Sequence, residues 1–215
     1  IDGVINQSKI IGLSNNHTFQ ANVYNELIKH IKGINPKAII VVGGNDVSFR
    51  PESYIDAGAD IAVSKRGDSS VSSLFRGLSE GKSMGNIPGI VFRDSSKVIE
   101  KTRYERSVFE ELPFPDLSIG EKYDDLYKQV PEGGVPEVQG KLGFIQTVLG
   151  CDLPCYFCTV PRMSGKFQGS NLERTLALID HYDKNGIRTN LTIDDNFLLK
   201  TRTEKGREDL IDQYN

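Results

Sequence analysis

The sequence predicts an α/β protein built in two successive parts. Apolar strand-like runs alternate with amphipathic helical stretches from residue 9 to residue 78, and the same alternation restarts after a Pro- and Gly-rich interval. A third observation bears on the chemistry: all three cysteines of the 215-residue chain fall in one window, CDLPCYFC, at Cys151, Cys155 and Cys158.

Taken in order, Lys9 to Ser14 (KIIGLS) reads as a short buried strand. A helix follows over Val23 to Ile31, with Val23, Leu27, Ile28 and Ile31 on its apolar face, and Gly33 and Pro36 end it. Lys37 to Val42 is a continuous apolar run before Gly43-Gly44, the pattern of a strand covered on both faces of a parallel sheet. Pro51 opens a short helix carrying Tyr54 and Ile55, Gly58 closes it, and Asp60 to Ser64 is the next strand. Asp68 to Leu78 then reads as a helix with Val71, Leu74, Phe75 and Leu78 inward, capped by Asp68 or Ser69. This alternation implies a parallel sheet with helices on both faces and a ligand site beyond the carboxyl ends of the strands. The candidate binding loops are therefore Ser14-Asn15-Asn16-His17, Gly43-Gly44-Asn45-Asp46 and Ser64-Lys65-Arg66-Gly67. A hairpin is expected next, Ile90 to Phe92 and Val98 to Glu100, turning through Asp94-Ser95-Ser96.

Composition then shifts. Pro113, Pro115, Pro131, Gly133, Gly134, Pro136 and Gly140 mark residues 112–140 as a linker between a first domain, 1–111, and a second, 141–215. Leu142 to Leu149 reads as one strand running into the cysteines, Asn171 to Lys184 as a helix, Arg188 to Ile193 as a strand, and a further helix begins near Thr203. Because the chain starts at Ile1 and the second part stops after two strands, both its beginning and its second domain are expected to be incomplete.

Several classes are excluded or disfavoured. With 38% hydrophobic and 26% charged residues the chain is neither disordered nor collagen-like, and 26 basic against 29 acidic residues argue against a broad nucleic-acid surface. No apolar run is long enough to span a membrane and no signal peptide opens the sequence, so a cytoplasmic protein is expected. The basic set Arg162, Lys166 and Arg174 reads as a solvated face, and Glu110-Glu111 as linker solvation.

An odd, crowded trio of cysteines is not a disulfide framework. The spacing C-x-x-x-C-x-x-C after a strand, with Gly150 and Pro154 tightening the loop, lets three thiolates converge on a 4Fe-4S cluster and leaves one iron without a protein ligand. The alternative is structural zinc, which uses paired C-x-x-C or Cys/His spacings and a fourth ligand; the nearest histidine in sequence is His181, on a predicted helix.

Cys151, Cys155 and Cys158, with aromatic Phe157 before the third cysteine, resemble the signature of the radical S-adenosylmethionine (SAM) superfamily. The resemblance implies a 4Fe-4S cluster on the three cysteines whose unique iron chelates SAM and cleaves it reductively. It further implies that Phe157 stacks near the adenine, and that Thr192-Ile193-Asp194-Asp195-Asn196-Phe197 corresponds to the region meeting the methionine moiety, with Asp194 and Asp195 in place of the usual Gly-Gly-Glu. Upstream, Gly12-Leu13-Ser14, Val41-Val42-Gly43-Gly44 and Ile61 to Gly67, together with the hairpin and ELPFPD, resemble the cobalamin-binding domain that precedes the radical barrel in one large subgroup. The implied architecture is a Rossmann-like cobalamin-binding domain, truncated at its N-terminus, followed by the start of a partial TIM-type (β/α) barrel. Ser14, Asn15, Gly43 and Gly44 are its expected cobalamin contacts, and glycine there lets a flat tetrapyrrole approach the backbone. The Asp-x-His-x-x-Gly motif of other cobalamin proteins is absent; His17 lies in a candidate loop, where a histidine is ordinarily a solvated polar group.

The activity so implied is methyl transfer to an unactivated carbon of a small-molecule substrate, with an electron donor such as flavodoxin or ferredoxin and no nucleic-acid partner. The alternatives are a cobalamin-using cyclase or rearrangement enzyme of tetrapyrrole or secondary metabolism, and a non-catalytic corrinoid- or metal-binding module. A methylthiotransferase is disfavoured because such enzymes use further upstream cysteines, and here none precedes Cys151.

Overall fold

Five apolar runs in the first part of the chain become the strands of one sheet. The computed structural model describes residues 2–97, 99–118 and 142–197, and the chain divides into two units, Ile1–Ser107 and Val108–Asn215. In the first, helix α1 (Asp2–Gln7) precedes β1 (Ile10–Ser14), α2 (Ala21–Ile34), β2 (Ile39–Gly43), α3 (Asn45–Phe49), α4 (Pro51–Asp56), β3 (Ile61–Val63), α5 (Asp68–Glu80), β4 (Ile90–Arg93) and β5 (Ile99–Lys101). The strand order is β1-β2-β3-β4-β5. β1, β2 and β3 pair in parallel, with Ile10 opposite Ile39 and Val41 opposite Ile61, while β4 and β5 add as the antiparallel hairpin. The expected start of its second strand, Val98, lies outside the described residues.

The alternation of side chains along β2 explains why that run is apolar throughout. Ile40 and Val42 join Ile28, Ile31, Tyr54, Ile55 and Ala62 in a core beneath α2, α3 and α4; Val41 joins Ile61, Val63, Leu74, Ile90 and Phe92 in a second core beneath α5. Helices thus cover both faces, as the sequence predicts, with α2 and α4 on the same one.

Helix faces differ from the predicted ones. In α2 the buried residues are Ala21, Ile28 and Ile31, and Val23 is 68% exposed; the helix also runs through Gly33 to Ile34. In α5 the buried residues are Ser70, Leu74 and Gly77, whereas Val71 and Phe75 are exposed. Gly77 admits the segment that returns to β4: a Cβ on it would sit 2.9 Å from Ile87 Cδ1. The cap of α5 is Gly67 rather than Asp68 or Ser69; Asp68 pairs with Arg66 at 2.7 Å and Ser69 Oγ donates to the Glu105 carbonyl. Helices α1 and α3 were not predicted. Asn35 ties α1 to the end of α2 by donating through Nδ2 to the carbonyls of Ile5 (2.9 Å) and Ser8 (3.1 Å).

The second unit contains β6 (Leu142–Ile145), β7 (Val148–Leu149), α6 (Val160–Met163), β8 (Gln168–Gly169), α7 (Leu172–Lys184) and β9 (Thr189–Thr192). β6 and β9 pair in parallel, Phe144 opposite Leu191, with α7 as the crossover; Leu178 and Tyr182 of α7 pack with Ile145 and Ile187. β7 pairs antiparallel with β8. The single strand predicted from Leu142 to Leu149 is therefore broken at Gln146-Thr147. Of the predicted linker, residues 119–140 lie outside the described residues, as does the helix expected near Thr203.

Phe109, Glu110, Leu112 and Phe114, at the boundary assigned to the linker, make contacts with β8 and α7. The Glu110 carboxylate accepts from the Asn171 N–H at 2.7 Å and from its Nδ2 at 3.0 Å, and the Phe109 N–H donates to Gln168 Oε1 at 2.9 Å. Arg174 donates to the carbonyls of Glu110 (3.1 Å) and Leu112 (2.7 Å), and its guanidinium lies 4.9 Å from the Phe114 ring centroid. These contacts correct the reading of Arg174 and Glu110 as solvated charge.

Leu74→Ala is expected to cost about 2–5 kcal/mol of stability, whereas Phe75→Ala, on the face the sequence pattern groups with it, should cost under about 1 kcal/mol; chemical denaturation of the two variants measures the difference.

Candidate functional site

Two sets of loops gather the residues singled out from the sequence, one in each unit. In the first unit they follow the carboxyl ends of β1 and β2. The chain enters α3 directly after Gly44, whose φ of +107° is a conformation that glycine adopts readily. A Cβ at Gly44 would lie 2.4 Å from the Asn15 carbonyl oxygen, so the missing side chain admits the neighbouring loop. Gly43 has more room: the nearest atom to its Cβ position is Val63 Cβ, at 3.9 Å. Asn15 is 1% exposed and turned inward. Its Nδ2 donates to Tyr54 Oη at 2.8 Å and its Oδ1 accepts from the His17 N–H at 3.0 Å. Of the predicted contact residues, Ser14 is exposed, Gly43 and Gly44 are half-buried and Asn15 is buried; Asn15 joins the two loops, its N–H donating to the Gly43 carbonyl at 2.8 Å and its own carbonyl lying against Gly44. His17 is exposed and stacks on Phe19, ring centroids 5.5 Å apart, with Phe19 80% exposed.

Beneath these loops lies a polar hub. The Asp46 carboxylate, its side chain 2% exposed, accepts from Tyr54 Oη at 2.6 Å, Thr18 Oγ1 at 2.7 Å and Arg50 Nη2 at 2.9 Å. Burial alone pushes this carboxyl up; the hydrogen bonds from Tyr54, Thr18 and Arg50, with the Arg50 charge, outweigh it and hold the group below its ordinary value. Tyr54 is pushed up to about 12, first by burial and then by donating to Asp46. The hub ties the loop after β1 (Thr18) to the helices after β2. Sequence reasoning missed it because α3 was not predicted; the Asp46-x-x-x-Arg50 spacing on a helix was its available signal.

In the second unit the cysteine loop follows β7. Gly150 has φ +80°, and a Cβ there would lie 2.4 Å from the Lys166 carbonyl oxygen and 2.6 Å from that of Gly165. The Cys151 N–H donates to the Gly165 carbonyl at 3.2 Å. All three cysteines are free thiols: Cys151 is buried, Cys158 half-buried and Cys155 exposed. Cys151 Sγ accepts from the Leu153 N–H at 3.4 Å and from Asn196 Nδ2 at 3.9 Å. Phe157, 75% exposed, meets Tyr156 edge-on at 5.4 Å. Among the described residues no three His, Cys, Asp or Glu side chains are drawn together as for a single metal ion. His181, the histidine weighed for zinc, has its Nε2 3.0 Å from the Pro115 carbonyl oxygen. The donor set fits a soft thiolate-bound cluster in kind: three thiols on one loop, with N–H groups directed at the buried sulfur.

Asp194 and Asp195 stand on the residues after β9 and are turned onto the backbone of this loop. Asp194 Oδ1 accepts from the N–H of Thr147 (2.5 Å) and Val148 (2.7 Å), and its Oδ2 from Thr147 Oγ1 (2.5 Å). Asp195 Oδ2 accepts from the Gly150 N–H at 2.7 Å. These bonds satisfy the backbone at the break between β6 and β7.

Two tests follow from the hub. The contribution of Asp46 is present above the ordinary carboxylate value and lost as pH falls through its lowered one, so Asp46→Asn should flatten the acid limb of the stability curve below about pH 4. That of Tyr54 is present below about pH 10 and lost as pH rises through its raised value, so phenolate absorbance should show a late step near 12 that Tyr54→Phe removes. A titration of the wild-type chain complete before that point contradicts the hub.

No protein-family model matches the chain. It is 28% identical over 199 residues to an uncharacterized methyltransferase of Pyrococcus horikoshii, covering 90% of this chain and 41% of that protein. It is also 28% identical over 161 residues to the tRNA-2-methylthio-N(6)-dimethylallyladenosine synthase of Saccharophagus degradans, covering 74% of this chain and 28% of that one. The chain thus spans less than half the length of these relatives. Among solved structures it is similar to OxsB, a cobalamin-dependent S-adenosylmethionine radical enzyme with aqua-cobalamin and SAM bound (TM-score 0.72, 22% identity, 98% of this chain and 29% of that one). It is likewise similar to TsrM of Kitasatospora setae, a radical SAM methyltransferase with cobalamin and a 4Fe-4S cluster bound (TM-score 0.63, 20% identity, 96% of this chain and 40% of that one). No helix among the described residues is long and apolar enough to cross a membrane. Over nearly its whole length the chain has the fold of these cobalamin-dependent radical SAM enzymes.

Proposed function

We propose that the protein acts as a cobalamin-dependent radical SAM enzyme that transfers a methyl group to an unactivated carbon of a small-molecule substrate. The observation that carries this reading is the cysteine loop: three free thiols on one turn after β7, in a chain whose fold over nearly its whole length is that of OxsB and TsrM. Methyl transfer is preferred to cyclisation because the Pyrococcus relative and TsrM are both described as methyltransferases. When bound, a 4Fe-4S cluster supplies the electron that cleaves SAM, and cobalamin supplies the methyl group.

The chain's own residues have separable tasks. Cys151, Cys155 and Cys158 are the thiolate ligands; the buried Cys151 anchors the loop, while the exposed Cys155 stands toward solvent. Phe157 offers an exposed aromatic face beside Cys158 for the adenine of SAM. In the first unit, the exposed Ser14 and the half-buried Gly43 supply the strand-end surface for a corrin, with His17 and Phe19 exposed in the loop after β1, and the Asp46 hub holds these loops in one conformation. Asn15 and Gly44 serve that surface indirectly by joining its loops.

Cys155→Ala replaces an exposed side chain and should leave stability within about 1 kcal/mol of wild type, while SAM cleavage falls more than about 100-fold. Anaerobic reconstitution with iron and sulfide, low-temperature EPR with and without SAM, and quantification of 5′-deoxyadenosine measure both effects. Continued SAM cleavage by the variant overturns the assignment, as does a wild-type chain that takes up no cluster. Retention of cobalamin through gel filtration tests the first unit separately.

A further inference from the structure

Asp194, Asp195 and Asn196 are consecutive, and each reaches a different point of the segment leading into the cysteines. Asp194 binds the amides of Thr147 and Val148, Asp195 binds the amide of Gly150, and Asn196 Nδ2 approaches Cys151 Sγ at 3.9 Å. The contacts advance along the loop in step with the sequence, from the end of β6 to the first cysteine. We infer that these three residues form a clamp that presents the Cys151 sulfur, with Asn196 as the positioning residue that touches it.

The physical reasons differ along the run. A carboxylate accepting backbone N–H groups makes charge-assisted bonds, stronger than those between neutral groups, so Asp194 and Asp195 fix the backbone on either side of the short strand β7. Gly150 is held in a left-handed turn with carbonyls packed where a side chain would go, and losing the Asp195 bond frees the residue immediately before Cys151. Asn196 has another effect, because an N–H directed at a thiolate sulfur withdraws electron density from it and favours the more reduced state of an attached cluster. On this inference the three residues position the cysteine loop and are not ligands of the methionine group of SAM, which departs from the role that the family resemblance implies for Asp194 and Asp195.

The cluster part of the inference rests on the function proposed above; the clamp part does not, and the full-length chain tests them separately. Without iron, Asp195→Ala should raise the alkylation rate of Cys151 by iodoacetamide about tenfold, as expected for losing one charge-assisted hydrogen bond, with Cys155 unchanged and Asp195→Asn intermediate. Peptide mass spectrometry reads each cysteine, and circular dichroism establishes that the variants are folded. An unchanged Cys151 rate in folded Asp195→Ala overturns the clamp. After reconstitution, Asn196→Ala should keep its iron content and show a more negative midpoint potential in SAM-free redox titration. An unchanged potential with weakened SAM binding overturns the positioning role of Asn196 and makes it a SAM ligand. A wild-type chain that takes up no iron, yet shows the Asp195→Ala effect on Cys151, supports the clamp and removes the cluster reading alone.

Discussion

A backbone amide withdrawn from a strand ladder must find another acceptor, and the second unit is organised around that requirement. Where β6 gives way to β7, the amides of Thr147, Val148 and Gly150 turn to the carboxylates of Asp194 and Asp195. Those carboxylates follow β9, which is the parallel partner of β6, so the pairing Ile145 opposite Thr192 is what brings them within reach. A slip of one residue would turn the strand's side chains to the opposite face and leave three amides without acceptors. The Gly150 amide held by Asp195 lies between β7, which pairs with β8, and the buried Cys151.

The first unit uses a related arrangement. Asp46 lies just after β2 and accepts from Thr18, in the segment after β1, much as Asp194 lies after β9 and accepts from Thr147, after β6. In both units a buried or half-buried aspartate after one strand of a parallel pair holds the loop that follows the other. Parallel strands end side by side at the same edge of the sheet, where their loops diverge and ligands are ordinarily bound. A carboxylate placed between them accepts from hydroxyls and amides of one loop while belonging to the other. Such a site begins with its loops already ordered, which lowers the entropic cost of binding.

Much of this was legible in the sequence, and the parts that were not share physical causes. Strands were recoverable because β2 is apolar on both faces and β1 and β3 are short apolar runs. The cysteine loop was recoverable because an odd trio of thiols within eight residues suits a shared metal cluster and not a set of disulfides. Helix faces were less so: in α5 the close approach of the segment before β4, through Ile87 at Gly77 and Gly89 at Ser70, puts small residues inward and leaves Phe75 outside, the reverse of what hydrophobicity alone suggests. The break in the strand from 142 to 149 was invisible because the carboxylate that satisfies its backbone, Asp194, lies 47 residues from Thr147. The same holds for Gly44, whose missing side chain reads locally as room for a ligand and in the fold makes room for Asn15.

The contacts of Arg174 bear on where the chain can be divided for study. A second unit begun at residue 112 would contain the Pro-rich stretch and every cysteine, and would look complete by composition. It would lack Phe109 and Glu110, leaving Gln168 Oε1 without the amide it accepts and the first turn of α7 without its carboxylate partner. Gln168 belongs to β8, which pairs with the strand entering the cysteine loop. Fraying from such a cut would therefore travel through β8 to the residues that enter the cysteine loop, and altered thiol reactivity in a shortened protein would report the position of the cut.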